Sequence, residues 1–373
     1  MTQRVATENE GTTRTAPPPG GERSAPHEDH HVRMLNLITG YWRTQIVGAL
    51  ARHSVAEHLG RGAETAAEIA ALESTDPGAT LRLLRAAASL GLVGSTDGVR
   101  FRPTALLDTL RADVPGSLRD IALVEAAPGH WLPWGRFPDA LRTGQQQATA
   151  ALGAEMPAYY AQNPAEAAQF TRAMDGLSTL VAQEAARLLD TTGVSFAVDV
   201  GGAGGSLVRG LMARNPKLSG AVLDLPHIVP QAAEAARADG LSDRFSTLSG
   251  DFFTSVAPAD LYLLKSVLHG WDDDDCVRIL RNCRDSLRPG GRIVVVEMLL
   301  GGPGEPGIVP LMDLNMLTVA TGRERPLADF EALFAAAGLR CTARHRTRSP
   351  FTLLEAVSVP DAQAVPDSGT APA

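Results

Sequence analysis

The chain has 373 residues, enough for about two domains at roughly 150 residues each. Its 34 basic against 42 acidic residues leave a net charge of −8, which argues against a phosphate backbone or an anionic membrane as the main partner. Three cysteines cannot staple a fold, no run approaches the length of a membrane span, and no apolar core follows the N-terminal charges, so a reducing cytoplasm without membrane or nucleic-acid partner is expected.

Residues 1–28 and 359–373 are rich in Pro, Gly, Thr and Ala without apolar periodicity and read as disordered tails. The run HEDHH, with His27, His30 and His31, reads as a polar helix start. No Cys/His set recurs at ligand spacing, so no metal is expected. Residues 29–110 carry three helical stretches, LNLITGYWRTQIVGALARHSVAEHL, TAAEIAALE and ATLRLLRAAASLGLV, followed by the hairpin-like GSTDGVRFRPT. Three helices and a wing is the order of a winged helix. Its third helix offers only Arg82 and Arg85 among Ala and Leu, which favours packing or dimerisation over reading DNA. Residues 111–192 form a helical connecting region whose aromatic stretches, HWLPWGRFP and PAYYAQNPAEAAQF, supply core and can wall a flat apolar ligand.

From 193 to 358 short Val/Ile/Leu runs alternate with amphipathic helices, the pattern of a parallel sheet covered on both faces. The late runs CTARHRTRS and FTLLEAVSV are placed to close it as an antiparallel hairpin. A predicted helix carries Cys276 and Cys283 seven residues apart, about 10.5 Å along its axis and too far to bridge.

The strongest local signal is strand, D-V-G-G-A-G-G from Asp199 to Gly205, then helix. Glycines there let a ligand approach the main chain, and the helix N-terminus offers unpaired N–H groups. The spacing is neither that of a phosphate loop nor G-x-G-x-x-G, because position 207 is Leu. Asp224 ends the next strand in VLDLP, 19 residues after Gly205, where a carboxylate can accept from ribose hydroxyls. Together they suggest a nucleoside bearing a small carboxylate, a description that S-adenosylmethionine meets. In GDFF, Asp251 is placed to accept from an adenine amine and Phe252 to stack on the ring, although a strand-end turn with buried rings has the same sequence.

His269, in LLKSVLHGWDDDD, follows a strand at the same carboxyl edge and suits a general base, since an unperturbed imidazole is largely neutral at pH 7. The run Asp272–Asp275 reads as a helix N-cap with first-turn carboxylates. Glu297 in VVVEMLL and Glu324 in TGRERPLADF are each able to hydrogen-bond one imidazole nitrogen and leave the other free. Alternatively, Glu297 is a paired interior carboxylate and Glu324 a partner of Arg323 or Arg325.

The ordered set DVGGAGG, VLDLP, GDFF, LLKSVLHGWDDDD, LRPGGRIVVVE and DLNMLTVATGRERPLADFEALFAAAGL resembles the S-adenosylmethionine-dependent O-methyltransferases of plant phenolics and bacterial aromatic polyketides, over residues 31–358. The resemblance implies an α/β fold: a seven-stranded, Rossmann-like C-terminal domain that binds S-adenosylmethionine, and a mainly helical, winged-helix-like N-terminal domain that makes a homodimer. By position it implies a cofactor site of Asp199, Gly201, Gly202 and Gly205 at the methionine part, Asp224 with Leu225 at the ribose, and Gly250, Asp251 and Phe252 at the adenine. Lys265 and Trp271 would flank the cofactor, and Met174 and Ser178 would touch its methionine end, Met174 on the acceptor side. His269 corresponds to the base and Glu297 and Glu324 to the carboxylates that orient it, while Met312, Asn315 and Met316 would face a phenolic aromatic acceptor. Two positions depart from the family: Ala203 replaces a third consecutive Gly, and Gly270 stands where plant members carry Asp. A relative that uses the cofactor for hydroxylation or pericyclic chemistry, and a ligand-sensing winged-helix regulator, are the competing expectations; His269 with two carboxylates weighs against the first and the acidic charge against the second.

Overall fold

The computed structural model describes residues 29–359, so His27 and the expected tails, residue 359 apart, lie outside it. One compact unit ends at Arg43 and a second begins at Thr44. The first holds helix α1 (His30–Ile38), which starts where the Asp29 carboxylate accepts the His31 N–H at 2.9 Å, so Asp29 of the HEDHH run is the N-cap. Helix α2 (Gly40–Arg52) follows after a single residue.

In the second unit come α3 (Val55–Gly60), α4 (Ala66–Glu73) and α5 (Pro77–Ser89). Thr65 and Glu68 exchange hydrogen bonds in a capping box that fixes the start of α4. The two-residue strands β1 (Val93–Gly94) and β2 (Arg102–Pro103) then pair antiparallel. Arg85 of α5 donates to the Gly98 carbonyl at 3.1 Å, so this side chain ties the hairpin to the helix. Val55, Ile69, Leu84, Phe101 and Leu107 are at most 1 % exposed and make a core of their own.

Helices α6 (Ala105–Asp108), α7 (Arg119–Glu125), α8 (Pro128–Trp134), α9 (Phe137–Thr143), α10 (Ala148–Leu152) and α11 (Met156–Gln162) are short. Pro128, Pro138 and Pro157 each occupy a first turn, where the missing N–H leaves nothing unbonded. Pro164 starts α12 (Pro164–Leu188), 25 residues that run on to the sheet.

The remaining elements are β3 (Phe196–Val200), α13 (Ser206–Arg214), β4 (Ser219–Asp224), α14 (Val229–Ala238), β5 (Phe245–Ser249), β6 (Ala259–Lys265), α15 (Asp273–Asp285), β7 (Leu287–Met298), α16 (Val309–Val319), α17 (Leu327–Ala336), β8 (Leu339–Arg346) and β9 (Phe351–Ser358). Seven strands form one sheet in the order β5-β4-β3-β6-β7-β9-β8. Strands β3 to β7 pair parallel, and β9 and β8 close the edge antiparallel, as the hairpin reading anticipated. Within β7, Val294 and Val296 enter the core on one face while Ile293 and Val295 enter the core on the other, all fully buried. Burial of each contributes about 1.5–3 kcal/mol, which is why the run is continuous rather than alternating. The strand order reverses between β3 and β6, and such a switch point opens a crevice at the carboxyl ends of the strands. Cys276 and Cys283 are free and buried on α15. Among the described residues no helix is long and apolar enough to cross a membrane.

Candidate active site

The carboxyl edge of the sheet gathers most of the residues singled out from sequence. After β3 the chain turns through Gly201–Gly205. Gly205 has φ +73, and a Cβ there would lie 2.7 Å from Val222, so position and conformation both demand glycine. Asp199 is 2 % exposed, and its Oδ2 accepts the Val208 N–H at 3.2 Å. It therefore anchors the start of α13 from within the sheet through this one oxygen. Burial pushes its carboxyl up to about 7. Ala203, where a third glycine was expected, has φ 49. Its N–H donates to Asp224 Oδ2 at 2.9 Å, while Asp224 Oδ1 accepts the Leu225 N–H at 2.7 Å. Each carboxylate oxygen keeps a second lone pair. Burial raises the Asp224 pKa against those two N–H bonds.

The left-handed backbone of an L-residue costs about 1–2 kcal/mol, against about 0.5–1 kcal/mol for the extra freedom of glycine in the unfolded chain. Ala203→Gly is expected to raise the denaturant midpoint by the equivalent of up to about 1 kcal/mol; a lowered midpoint would refute strain at this turn.

Gly250 N–H donates to the Asp224 carbonyl at 3.1 Å and so aligns the ends of β4 and β5. Asp251 Oδ1 accepts the Phe253 N–H at 2.8 Å, leaving its other oxygen available. Phe252 lies beside the glycine turn, 3.5 Å from where a Gly201 Cβ would sit, and meets Trp271 edge-on with ring centroids 6.2 Å apart. Leu225 is 43 % exposed at the same edge. A carboxylate, apolar surface and aromatic rings thus line one edge beside a glycine turn, a set whose chemistry fits an adenosine with a small charged tail. Lys265, at the end of β6, donates to Ser266 Oγ at 3.2 Å and lies over the Phe351 ring. Burial lowers its pKa against the pull of Glu297 and Asp199.

His269 sits in a single 3-10 turn, Leu268–Gly270, a few residues beyond β6. Three residues build that turn. Glu297 Oε1, from the end of β7, accepts the N–H groups of Val267, Leu268 and His269 at 3.1, 3.0 and 3.4 Å. Arg325, fully buried, donates to the Leu268 carbonyl at 2.9 Å and the Trp271 carbonyl at 2.8 Å, and pairs with Asp273 at 2.7 Å. Gly322 packs so closely that a Cβ would lie 2.0 Å from the His269 carbonyl oxygen. The Asp272 side chain caps α15 through the Asp275 N–H at 2.9 Å, confirming the N-cap reading of the aspartate run.

The imidazole itself is held by Glu324, whose Oε1 lies 2.8 Å from His269 Nδ1. Glu324 is therefore the partner of the histidine and not of Arg323 or Arg325, both of which bond Asp273. For Glu297 the reading changes: it holds the backbone of the turn rather than a ring nitrogen. A carboxylate accepts only, so Nδ1 carries the proton and Nε2 presents its lone pair. Burial pulls the His269 pKa down, but the Glu297 charge and then the Glu324 hydrogen bond and charge outweigh it, and the net shift is upward. Burial raises Glu297, opposed by the charge of His269. Ligating atoms of His269, Glu297 and Glu324 all lie within 4.8 Å of one another; Oε1 of each glutamate is committed to the turn or the ring, while Oε2 of each is buried without a hydrogen-bond partner.

On α16, Met312, Asn315 and Met316 share one face at i, i+3 and i+4. Asn315 Oδ1 is taken by Trp134 Nε1 at 2.8 Å, so of its amide only the NH₂ end stays free of strong partners. On α12, Ser178 donates back to the Met174 carbonyl at 2.6 Å, and its hydroxyl hydrogen is spent on its own helix. Asp175, one residue after Met174, bonds Ser206 and pairs with Arg209 at 3.5 Å, bracing the glycine turn from outside. Sequence reasoning missed Asp175, Gly322 and Arg325 as parts of the site; only the proximity of Gly322 and Arg325 to Glu324 pointed toward them.

A family model described as an O-methyltransferase domain matches residues 134–340. The chain is 38 % identical over 339 residues to the O-demethylpuromycin-O-methyltransferase of Streptomyces alboniger, covering 88 % of this chain and 89 % of that one. Among solved structures, the mitomycin 7-O-methyltransferase matches with a TM-score of 0.81 at 32 % identity, over 88 % of this chain and 98 % of that one. An O-methyltransferase from neocarzinostatin biosynthesis, in complex with S-adenosylmethionine and 2-hydroxy-5-methyl naphthoic acid, matches with a TM-score of 0.71 at 32 % identity, over 85 % and 96 %. With the glycine turn, the acidic strand ends and the carboxylate-held histidine arranged along one sheet edge, the chain belongs to this family and is an S-adenosylmethionine-dependent O-methyltransferase.

Proposed function

We propose that the chain methylates a phenolic hydroxyl of an aromatic, polyketide-type intermediate in antibiotic biosynthesis, in the cytoplasm, with His269 as general base. The observation that carries the reading is the 2.8 Å contact between His269 Nδ1 and Glu324, which aims a free Nε2 away from its carboxylate. Bound S-adenosylmethionine supplies an electrophilic methyl group on a sulfonium. Asp224 would take the ribose, Asp251 and Phe252 the adenine, and the backbone at Gly201 and Gly202 the methionine end, with Lys265, Trp271 and Leu225 alongside. Met174, Met312 and Met316 would wall the acceptor and Asn315 would orient it.

A phenol near pKa 10 losing its proton to an imidazole near 6.5 is uphill by roughly 5 kcal/mol. The upward shift of His269 reduces that gap, and Glu297 keeps the turn in place while the ring accepts the proton. General-base assistance contributes about 10² to 10⁴ in rate, whereas alignment supplies on the order of 7–11 kcal/mol, so positioning is the larger contribution. A homodimer through the N-terminal helices is supported by Val32, Met34, Leu35, Leu37 and Ile38, each at least 50 % exposed on α1, an apolar surface that a second copy would cover.

The test is a mass spectrum of reactions with hydroxylated aromatics and S-adenosylmethionine: a product one methylene heavier supports the reading, and its absence across the panel refutes it. Asp224→Ala is expected to weaken S-adenosylmethionine binding at least tenfold by calorimetry; unchanged affinity would remove the ribose role. The pH dependence is also defined. The base works when neutral, so kcat/KM for the acceptor rises with pH through an apparent pKa above the ordinary value, because the free-enzyme shift is upward. Glu324→Gln removes a group that raises this pKa, so the rising limb should move to lower pH while kcat falls. A limb that stays put would detach Glu324 from the base.

A further inference from the structure

Among the described residues, two buried polar atoms in the helices that precede the sheet have no hydrogen-bond partner: Nδ1 of His130 on α8 and the hydroxyl of Tyr160 on α11. His130 is only 6 % exposed. Most buried polar groups are paired, so an unpaired one calls for a reason, and a ligand that completes it is one such reason. Both rings stack on Phe170 of α12, with centroids 5.8 Å and 5.2 Å from it, so one aromatic platform carries the two orphaned atoms.

Their position ties them to the acceptor side. His130 and Trp134 are four apart and share a face of α8, and Trp134 Nε1 donates to Asn315 on α16. Phe170 lies one turn before Met174 on α12. Asp175, which bonds Ser206 beside the glycine turn, is five residues from Phe170, about 7.5 Å along the helix. That separation is comparable to the length of a fused two-ring aromatic.

Their protonation fixes the kind of group they take. Burial lowers the His130 pKa to about 4, so its imidazole is neutral at pH 7. Burial, followed by the charges of Glu166, Tyr159 and Glu125, holds the Tyr160 hydroxyl protonated. Glu166 is engaged by the Gly129 N–H at 2.9 Å and the Tyr159 hydroxyl at 2.8 Å, and burial raises the Glu125 pKa, which disfavours charge there too.

We propose that His130 and Tyr160 form an acceptor-recognition subsite that hydrogen-bonds an uncharged oxygen substituent, a hydroxyl or carbonyl, at the end of the aromatic acceptor remote from the methylated oxygen. The inference rests on the aromatic-acceptor reading above and adds the substituent that such an acceptor carries.

The experiment measures equilibrium binding of 2-naphthol and 2,6-dihydroxynaphthalene to the full chain saturated with S-adenosylhomocysteine, for the wild type, Tyr160→Phe and His130→Phe, with thermal stability of each. The wild type is expected to bind the diol at least tenfold more tightly, and the variants to lose that preference while keeping their affinity for S-adenosylhomocysteine. Tyr160→Phe removes one unpaired atom, so its Tm should hold or rise, and it keeps the test decisive if His130→Phe does not fold. Equal affinity of the wild type for both compounds, binding of neither, or a preference retained in Tyr160→Phe would overturn the subsite. A lowered Tm with the preference intact would assign Tyr160 a purely structural role. Because binding is read without turnover, a methylated product from the aromatic panel alongside an unchanged preference rejects the subsite alone, whereas no product across that panel rejects the methyl-transfer reading.

Discussion

His269→Ala is expected to lower kcat by about 10² to 10⁴, the usual contribution of a general base, while the Kd for S-adenosylmethionine stays within experimental error. The cofactor elements at the ends of β3, β4 and β5 do not use the imidazole, so their binding should not register its loss. The size of the effect depends on the acceptor: a phenol of low pKa needs less help in losing its proton, so acidic phenols should retain the most activity. Steady-state kinetics over phenols of graded acidity, with cofactor binding by calorimetry, separates the outcomes. Equal losses for every acceptor would remove His269 from proton transfer and leave it a positioning role.

Arg325→Met is expected to cost about 3 kcal/mol or more of stability and to reduce kcat together. The guanidinium is fully buried and bonds the Leu268 and Trp271 carbonyls on either side of His269, as well as Asp273 at the start of α15. Methionine fills comparable space without donors, so the Trp271 carbonyl would keep only the weak Cys276 thiol at 3.7 Å, and the Leu268 carbonyl that thiol at 3.1 Å and a long bond from the Trp271 N–H at 3.3 Å. The same segment delivers Glu324, and it is anchored where Leu300 N–H donates to the Arg325 carbonyl at 3.0 Å. Loosening the side chain therefore misplaces both the base and its carboxylate. Urea denaturation beside kcat measures the pair of effects; a stable variant with full activity would show that Glu297 and Gly322 suffice to hold the turn.

The resolution of the sheet from sequence has a simple basis. Runs such as VVVEMLL and SFAVDVG are buried on both faces, and continuous β-branched residues bounded by amphipathic helices leave little choice but a covered parallel sheet. The ligand edge was legible for the same reason, because glycine turns and acidic strand ends stand at defined places in each strand-turn-helix unit. The helical region before it was less legible: prolines cut it into short pieces whose apolar residues serve several neighbours at once, and nothing local marks which rings carry unpaired atoms.

Local spacing also identified His269 and two candidate carboxylates, but not their division of labour. Glu324 is 55 residues from His269 and reaches the ring, while Glu297, 28 residues away, reaches the backbone. Which contact each makes depends on the register of β6 with β7, where Lys265 pairs with Val296, and on the bridge that lays Arg325 beside Leu299. Asp199 shows the same limit. Its place beside the glycines suggested a ligand contact, and only the folded chain shows that its Oδ2 also accepts the Val208 N–H of α13. The order of residues along the chain determined the sheet, its ligand-bearing edge and the types of group available there. Which carboxylate meets the imidazole, which meets the main chain, and which arginine clamps the turn were decided by tertiary packing, because a hydrogen bond is made within about 3 Å and distances that small between distant segments exist only once strand register and helix docking are set.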